Sequence, residues 1–163
     1  MRQSRYGLIA LMCLLGSPQA FAQVAGYRVG ASGLDTRAIP CEANDGEWLC
    51  RPSGDLYLRI RRDTLVSIDT SWVAEDLVIV TAPDVWRRAR ATFEARFGPP
   101  DSVRTIDTAR LARAYADAVV AYWAKPEWCA ALTIKTAPRE HFTVFDLEIE
   151  RRGTWAGPCS GRP

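Results

Sequence analysis

A helix with a boundary signal at each end constrains this chain more than any other stretch of its sequence. Thr81 is a favourable N-cap, Pro83 suits a first helical turn, and Gly98 before two prolines ends the helix. Asp84 follows the cap by three residues, where a carboxylate stabilises the start of a helix. Apolar side chains recur on one face between these signals, at Val85, Trp86, Ala89, Phe93 and Phe97. The stretch predicts a helix over about 82–97 that packs against another element.

The first 22 residues have the organisation of a bacterial secretory signal peptide. Arg2 and Arg5 precede the apolar run Leu8–Leu15, which is too short to span a bilayer, and Ala-Phe-Ala at 20–22 is a small-x-small cleavage motif. We expect cleavage after Ala22, a periplasmic or secreted location, and no membrane-spanning segment in what remains.

Cleavage of this segment would change the charge of the chain. The segment carries two of the 21 basic residues and none of the 19 acidic ones, so the rest has 19 of each. A formally neutral chain gives no indication of a nucleic-acid partner. Residues 23–163 have the length of one domain, and we predict a single disulfide-bonded domain there.

Four cysteines remain after position 22, at Cys41, Cys50, Cys129 and Cys159. An even number of cysteines in an exported chain is typical of structural disulfides, and four cysteines allow three pairings. The turn sequence Asn-Asp-Gly at 44–46 favours a bridge between Cys41 and Cys50, which leaves Cys129 to pair with Cys159. The chain has no CxxC motif, so neither redox chemistry nor a zinc site is indicated.

Two segments alternate between apolar and polar residues, which is the pattern of a half-buried strand. Leu56–Arg62 alternates and then turns into a hairpin partner at Leu65–Thr70. Phe142–Glu150 alternates as well and places a row of carboxylates on its outer face, at Asp146, Glu148 and Glu150. We expect this row to be solvated.

The segment 118–124 fits either a helix or a strand. Its β-branched and aromatic residues favour a strand that pairs with 128–136 and places Trp123 opposite Trp128. We further expect a strand-like lead-in over 77–80 and loops over 71–76 and 101–106.

Together these elements predict an α+β fold. Its antiparallel sheet would have about five strands, with the helix over about 82–97 packed on one face and a second short helix near 107–117.

Two groups of side chains are candidates for binding. Tryptophans in or beside predicted loops could contact a protein partner or a sugar, or could instead complete a small core: Trp48, Trp72 and Trp155. Arginines of the alternating strand could form an anion-binding strip, or simply a solvated face: Arg59, Arg61 and Arg62.

Catalytic signals are weak in this sequence. His141 is the only histidine and lies in a predicted turn, and no nucleophile elbow, metalloprotease helix or phosphate-binding loop is present. Alternating carboxylates on a strand are more typical of a solvated face than of a glycosidase pair. The sequence predicts no catalytic residues, no cofactor and no metal site.

These observations favour a small exported, disulfide-stabilised, non-catalytic protein that binds another macromolecule in the bacterial cell envelope or outside it. An inhibitor or an immunity protein would fit this description. The expected partner is a protein or a cell-wall carbohydrate, and not a nucleic acid. The alternatives are a small secreted hydrolase that uses His141 and a carbohydrate-binding module that uses the loop tryptophans.

Overall fold

An eight-stranded antiparallel sheet dominates the computed structural model, which describes residues 23–75, 81–106, 115–137 and 142–153. The strands are β1 (Gln23–Val24), β2 (Tyr27–Arg28), β3 (Cys41–Asn44), β4 (Glu47–Ser53), β5 (Leu56–Arg61), β6 (Thr64–Glu75), β7 (Ser102–Ile106), β8 (Asp117–Ala124), β9 (Trp128–Ala137) and β10 (Phe142–Arg151). The described residues contain a single α-helix, α1 (Ala82–Phe97).

The sheet consists of two four-stranded meanders that meet at its centre. Its order is β3-β4-β5-β6-β10-β9-β8-β7, and each neighbouring pair is antiparallel. The last strands of the two meanders, β6 and β10, pair with each other. β1 and β2 form a separate small ladder, and the arm around them contributes Val24 and Val29 to the core.

An aromatic layer attaches α1 to one face of the sheet, which we call the helix face. Phe97 contacts the rings of Trp123 and Trp128, with centroids 5.3 and 5.9 Å apart. Phe93 stacks at 6.4 Å on Trp72 of β6. Trp123 and Phe97 are almost completely buried, so the apolar side of the helix is the side that the sequence pattern indicated.

The ends of α1 lie where the boundary signals predict them. Thr81 Oγ1 accepts a hydrogen bond from the Asp84 N–H at 3.3 Å. Gly98 has a φ of 77°, which favours glycine, and its N–H donates to Glu94 O at 2.8 Å.

Two residues of strand β8 form hydrogen bonds with the two ends of α1, which the sequence did not indicate. The Asp117 carboxylate accepts from the Ala82 N–H at 3.0 and 3.1 Å, and the Thr136 hydroxyl also donates to it. At the other end, Trp123 Nε1 donates to Gly98 O at 2.8 Å. A carboxylate at a helix N-terminus satisfies an orphan N–H and complements the helix dipole.

The predicted α+β fold with about five strands and two helices is wrong, because the structure is largely β. The segment 71–75 continues β6 instead of forming a loop, and 102–106 forms the edge strand β7 instead of a connection. An edge strand is paired on one side only and exposes most of its side chains, so its polar sequence resembles a loop. The helix predicted near 107–117 conflicts with β8, which already begins at Asp117; residues 107–114 lie outside the described residues.

The ambiguous segment 118–124 is a strand within β8 and pairs with β9, as its composition favoured. The expected register is wrong, however, since Trp123 lies opposite Ala130 and not opposite Trp128. A hydrogen bond from Lys125 N to Trp128 O closes the turn and sets this register.

Several predictions concern segments outside the described residues, namely the signal peptide over 1–22, the lead-in over 77–80, His141 and Trp155. In the part of the chain that is described, no helix has the length and hydropathy needed to cross a membrane.

Candidate functional site

The hairpin of β3 and β4 lies at one edge of the sheet and has a tight turn at its tip. Asp45 and Gly46 have φ values of 45° and 80°, and the flanking residues Asn44 and Glu47 are paired. Positive φ at both central residues of a two-residue loop is characteristic of a type I′ turn, for which Asp-Gly is a favoured sequence. The turn chemistry predicted from 44–46 therefore determines the local geometry.

A disulfide closes the other end of this hairpin. Cys41 and Cys50 are direct cross-strand neighbours and are bonded, with Cα atoms 4.0 Å apart, which confirms the predicted pairing. Next to the bridge, Arg51 N donates to Pro40 O at 2.8 Å. Cys129 is also disulfide-bonded, but its partner lies outside the described residues, so its pairing with Cys159 stays a prediction.

The closed hairpin exposes two large apolar side chains. Trp48 is 46% exposed and Leu49 is 39% exposed. Trp48 lies on the helix face, in line with Ile60 of β5, whereas Leu49 lies on the opposite face, in line with Arg59. The edge of the sheet therefore presents an apolar side chain on each face. The backbone that carries them is restrained by the turn at one end of the hairpin and by the disulfide at the other.

The other two candidate tryptophans do not join Trp48. Trp72 belongs to β6, where it is half-buried and stacks on Phe145 with centroids 5.1 Å apart and on Phe93 in α1. It is a core contact and not a loop residue. Trp155 lies outside the described residues.

The arginines of the predicted anion strip are only partly brought together. Arg61 Nη2 forms an ion pair with Glu47 Oε1 at 2.5 Å, and Arg59 Nε lies 3.9 Å from Glu47 Oε2. Arg62 lies beyond them in the turn between β5 and β6, with a φ of 47°. Glu47 offsets part of the charge of the two strand arginines, and it ties them to the hairpin.

The face of the sheet opposite α1, which we call the open face, carries a group of three carboxyl side chains. Glu148 of β10 lies directly across from Asp69 of β6, and Glu150 follows on the same side of β10. The expectation that this row is solvated is wrong for Glu150, which is only 3% exposed, and Glu148 is half-buried. We call Asp69, Glu148 and Glu150 the carboxyl group.

Burial changes the acidity of this carboxyl group. Desolvation, followed by the charges of Asp69 and Glu150, raises the pKa of Glu148 to about 7, against the opposing effect of Arg59. A hydrogen bond between Glu148 and Glu150 adds to the shift, and two carboxyl groups form such a bond only when one is protonated. Burial also raises the pKa of Asp69, whereas the hydrogen bond from Ser67 and the charge of Arg59 lower it.

Asp146, the third carboxylate of the predicted row, has separate partners. Ser71 Oγ donates to Asp146 Oδ1 at 2.8 Å, and Lys135 Nζ lies 2.6 Å from Asp146 Oδ2. Pairing with a lysine leaves this carboxylate outside the carboxyl group. Within the described residues, no cluster of three or more metal-ligating side chains is arranged to hold a metal ion.

Comparisons of the chain with protein-family models, with curated proteins and with solved structures find no match.

Proposed function

We propose that this protein is exported and binds a protein partner through the β3–β4 hairpin, without catalysing a reaction. One observation carries the proposal: Trp48 and Leu49 are exposed on an edge hairpin that a disulfide and a type I′ turn hold in one conformation. The signal sequence at 1–22 and the even number of cysteines after it support export.

A rigid hairpin is well suited to present a binding anchor. Tryptophan is enriched among the residues that dominate interface energies, because it buries a large area with few rotatable bonds. The bridge between Cys41 and Cys50 restrains the backbone before binding, so less conformational entropy is lost when a partner closes on Trp48. Apolar groups on both sides of the edge suit a partner that grips the hairpin from both faces.

The alternatives have less support among the described residues. The hydrolase depends on His141, which lies outside them, and the carbohydrate module depends on coplanar exposed tryptophans, whereas Trp72 is stacked in the core. Binding to a protein partner is therefore the function that the geometry favours.

Site-specific photocrosslinking in the native host tests the proposal. A photoreactive phenylalanine analogue replaces Trp48 in the full chain, and the same analogue replaces Ala91, which is exposed on α1, as the matched control. We expect a light-dependent adduct of one defined mass from position 48 and none from position 91. The absence of an adduct at 48, or the same adducts from both positions, would overturn the proposal.

A further inference from the structure

The outer edge of the hairpin is strand β3, which pairs with β4 alone within the described residues. Glu42, Ala43 and Asn44 are exposed, and no proline interrupts the strand. An edge strand offers backbone N–H and C=O groups to another extended chain. The backbone of β3 therefore decides what form of partner segment can bind at the hairpin.

The turn at the tip of the hairpin determines where the backbone groups of Ala43 point. The pair that closes a two-residue turn, here Asn44 with Glu47, exchanges hydrogen bonds between its two strands. Hydrogen-bonded and non-hydrogen-bonded pairs alternate along an antiparallel ladder, so Ala43 and Trp48 form a non-hydrogen-bonded pair. The N–H and C=O groups of Ala43 therefore point away from β4.

The base of the hairpin agrees with this alternation. Cys41 and Cys50 are the next non-hydrogen-bonded pair, and their Cα atoms lie 4.0 Å apart, in keeping with the closer spacing of such pairs. Beyond the bridge, Arg51 N donates to Pro40 O at 2.8 Å, which is the hydrogen bond expected of the following pair. Cys41 therefore also directs its backbone groups outward, and β3 presents alternate residues to an incoming strand.

We propose that the partner adds a β-strand to the outer edge of β3, with an apolar side chain opposite Ala43 and a basic side chain opposite Glu42. Main-chain hydrogen bonds to Cys41 and Ala43 supply affinity, and the alternating side chains supply specificity. This mode of recognition rests on the proposed function, because it concerns the same hairpin.

Trp48 and Ala43 explain the apolar position on the helix face. They are direct neighbours across the ladder, and Trp48 is 46% exposed. The two strands on either side of β3 would be about 10 Å apart, a gap that an indole ring and a second large apolar side chain span together. Alanine carries only a methyl group and does not separate them. A strand added to β3 thus covers indole surface that the hairpin itself leaves in water.

The charges at this edge explain the basic position on the open face. Glu42 is exposed on that side of β3, and Asp45 is exposed at the adjoining tip. Arg61 is paired with Glu47 at 2.5 Å. Opposite charges on paired strands are favourable and like charges are not, so Glu42 favours lysine or arginine across from it. The other edge strand, β7, instead exposes Arg104, which disfavours the same partner.

Amide hydrogen exchange, measured by NMR on the oxidised full-length protein, tests strand addition with a defined probe. The probe is a synthetic peptide of alternating valine and lysine, blocked at both ends. In the free protein the Ala43 amide should exchange quickly and the Glu42 amide slowly, because only Glu42 donates into the β3–β4 ladder. With about 90% of the protein bound, exchange at Ala43 should slow about tenfold, since only the free fraction exchanges.

Two N-methylated versions of the peptide are matched controls. The residue opposite Ala43 is the one that exchanges hydrogen bonds with it, so methylation of the valine nitrogens should abolish binding. Methylation of the lysine nitrogens, which point away from β3, should leave binding intact. A peptide with glutamate in place of lysine should bind several-fold more weakly, and Glu42→Lys should reverse this preference. Exchange of the Val103 amide in β7 should not change with any of these peptides.

Three results would overturn strand addition. The first is that the alternating peptide does not bind, and the second is that the valine-methylated peptide binds equally well. The third is unchanged exchange at Ala43 while the indole N–H resonance of Trp48 shifts, which would leave the hairpin as a binding surface of another kind.

Photocrosslinking from position 48 in the native host then separates strand addition from the proposed function. Ala43→Pro removes an outward N–H, whereas Ala43→Ser retains it, and neither removes a hydrogen bond of the β3–β4 ladder. We expect the adduct to be lost in Ala43→Pro and kept in Ala43→Ser, with the Cys41–Cys50 bridge formed in both. An adduct in both variants overturns strand addition alone.

No adduct in the otherwise unchanged protein overturns the proposed function, and hydrogen exchange with the peptide then decides strand addition by itself. The same measurement on the wild type decides it if Ala43→Pro fails to fold.

Discussion

The helix face and the open face of the same sheet bury their side chains by different means. The helix face is filled by aromatic and aliphatic groups under α1, with Trp123 and Leu132 fully buried. The open face buries small apolar side chains such as Ala118 and Val120, and among them it also buries a carboxyl side chain, Glu150, at 3% exposure. The free energy of apolar packing does not depend on pH, whereas the protonation of buried carboxyl groups does. The helix face should therefore determine most of the stability, and the open face should determine how stability changes with pH.

The largest effect expected from this comparison is on the helix face. Phe97→Ala removes a ring that contacts Phe93, Trp123 and Trp128, and it should lower the free energy of unfolding by about 3–5 kcal/mol. Chemical denaturation measures this change. Trp48→Ala is the matched control because it deletes an exposed aromatic side chain, and a loss as large as that of Phe97→Ala would mean that Trp48 is part of the core.

Substitutions in the β3–β4 hairpin should weaken partner binding more than they lower the free energy of unfolding. Trp48→Ala should weaken the affinity for the crosslinked partner by about 2 kcal/mol, or roughly 30-fold in Kd, because a central anchor is lost. Titration calorimetry with the purified partner measures the change. Val103→Ala removes an exposed apolar side chain on the other edge strand, β7, and should leave Kd unchanged. An equal loss of affinity in Val103→Ala and Trp48→Ala would contradict the assignment of the binding site to the hairpin.

The tether between β8 and the start of α1 should have an intermediate effect on stability. Asp117→Ala leaves the Ala82 N–H and the buried Thr136 hydroxyl without their acceptor, and it should destabilise the protein by about 1–2 kcal/mol. Asp117→Asn retains an acceptor oxygen and should recover part of the loss in thermal unfolding. Wild-type stability in Asp117→Ala would show that Thr81 alone caps the helix.

The smallest expected effect concerns the open face and depends on pH. The pKa of Glu148 is about 7 in the folded state against an ordinary 4.5, so the folded state binds the proton more tightly than the unfolded state. Stability should therefore decrease as pH rises from about 4.5 to about 7 and then level off. Because Glu148 is only half-buried and solvent screens its charge, we expect a decrease on the order of 1 kcal/mol.

Denaturation of wild type and Glu148→Gln across this range isolates that contribution, because the amide removes the titration. Glu94→Gln on α1 is the matched control and should retain the wild-type profile. A Glu148→Gln profile parallel to that of the wild type would contradict the assignment of the titration to this residue.

The carboxyl group shows where sequence reasoning was incomplete. The alternation over 142–150 correctly placed Asp146, Glu148 and Glu150 on one side of a strand. It could not show that Glu148 lies opposite Asp69, because that contact depends on the pairing of β10 with β6, which are far apart in the chain. The only indication of this contact in the sequence was that Asp69 and Glu148 each lie on the polar side of an alternating strand.

What the sequence by itself determined was local. The bounds of α1, the type I′ turn at 45–46 and the bridge between Cys41 and Cys50 follow from caps, glycines and spacings that act over a few residues. Tertiary structure alone decided that 102–106 is a strand, that β8 holds both ends of α1 and that Glu150 is buried. These features depend on the register between distant strands, which no local pattern encodes.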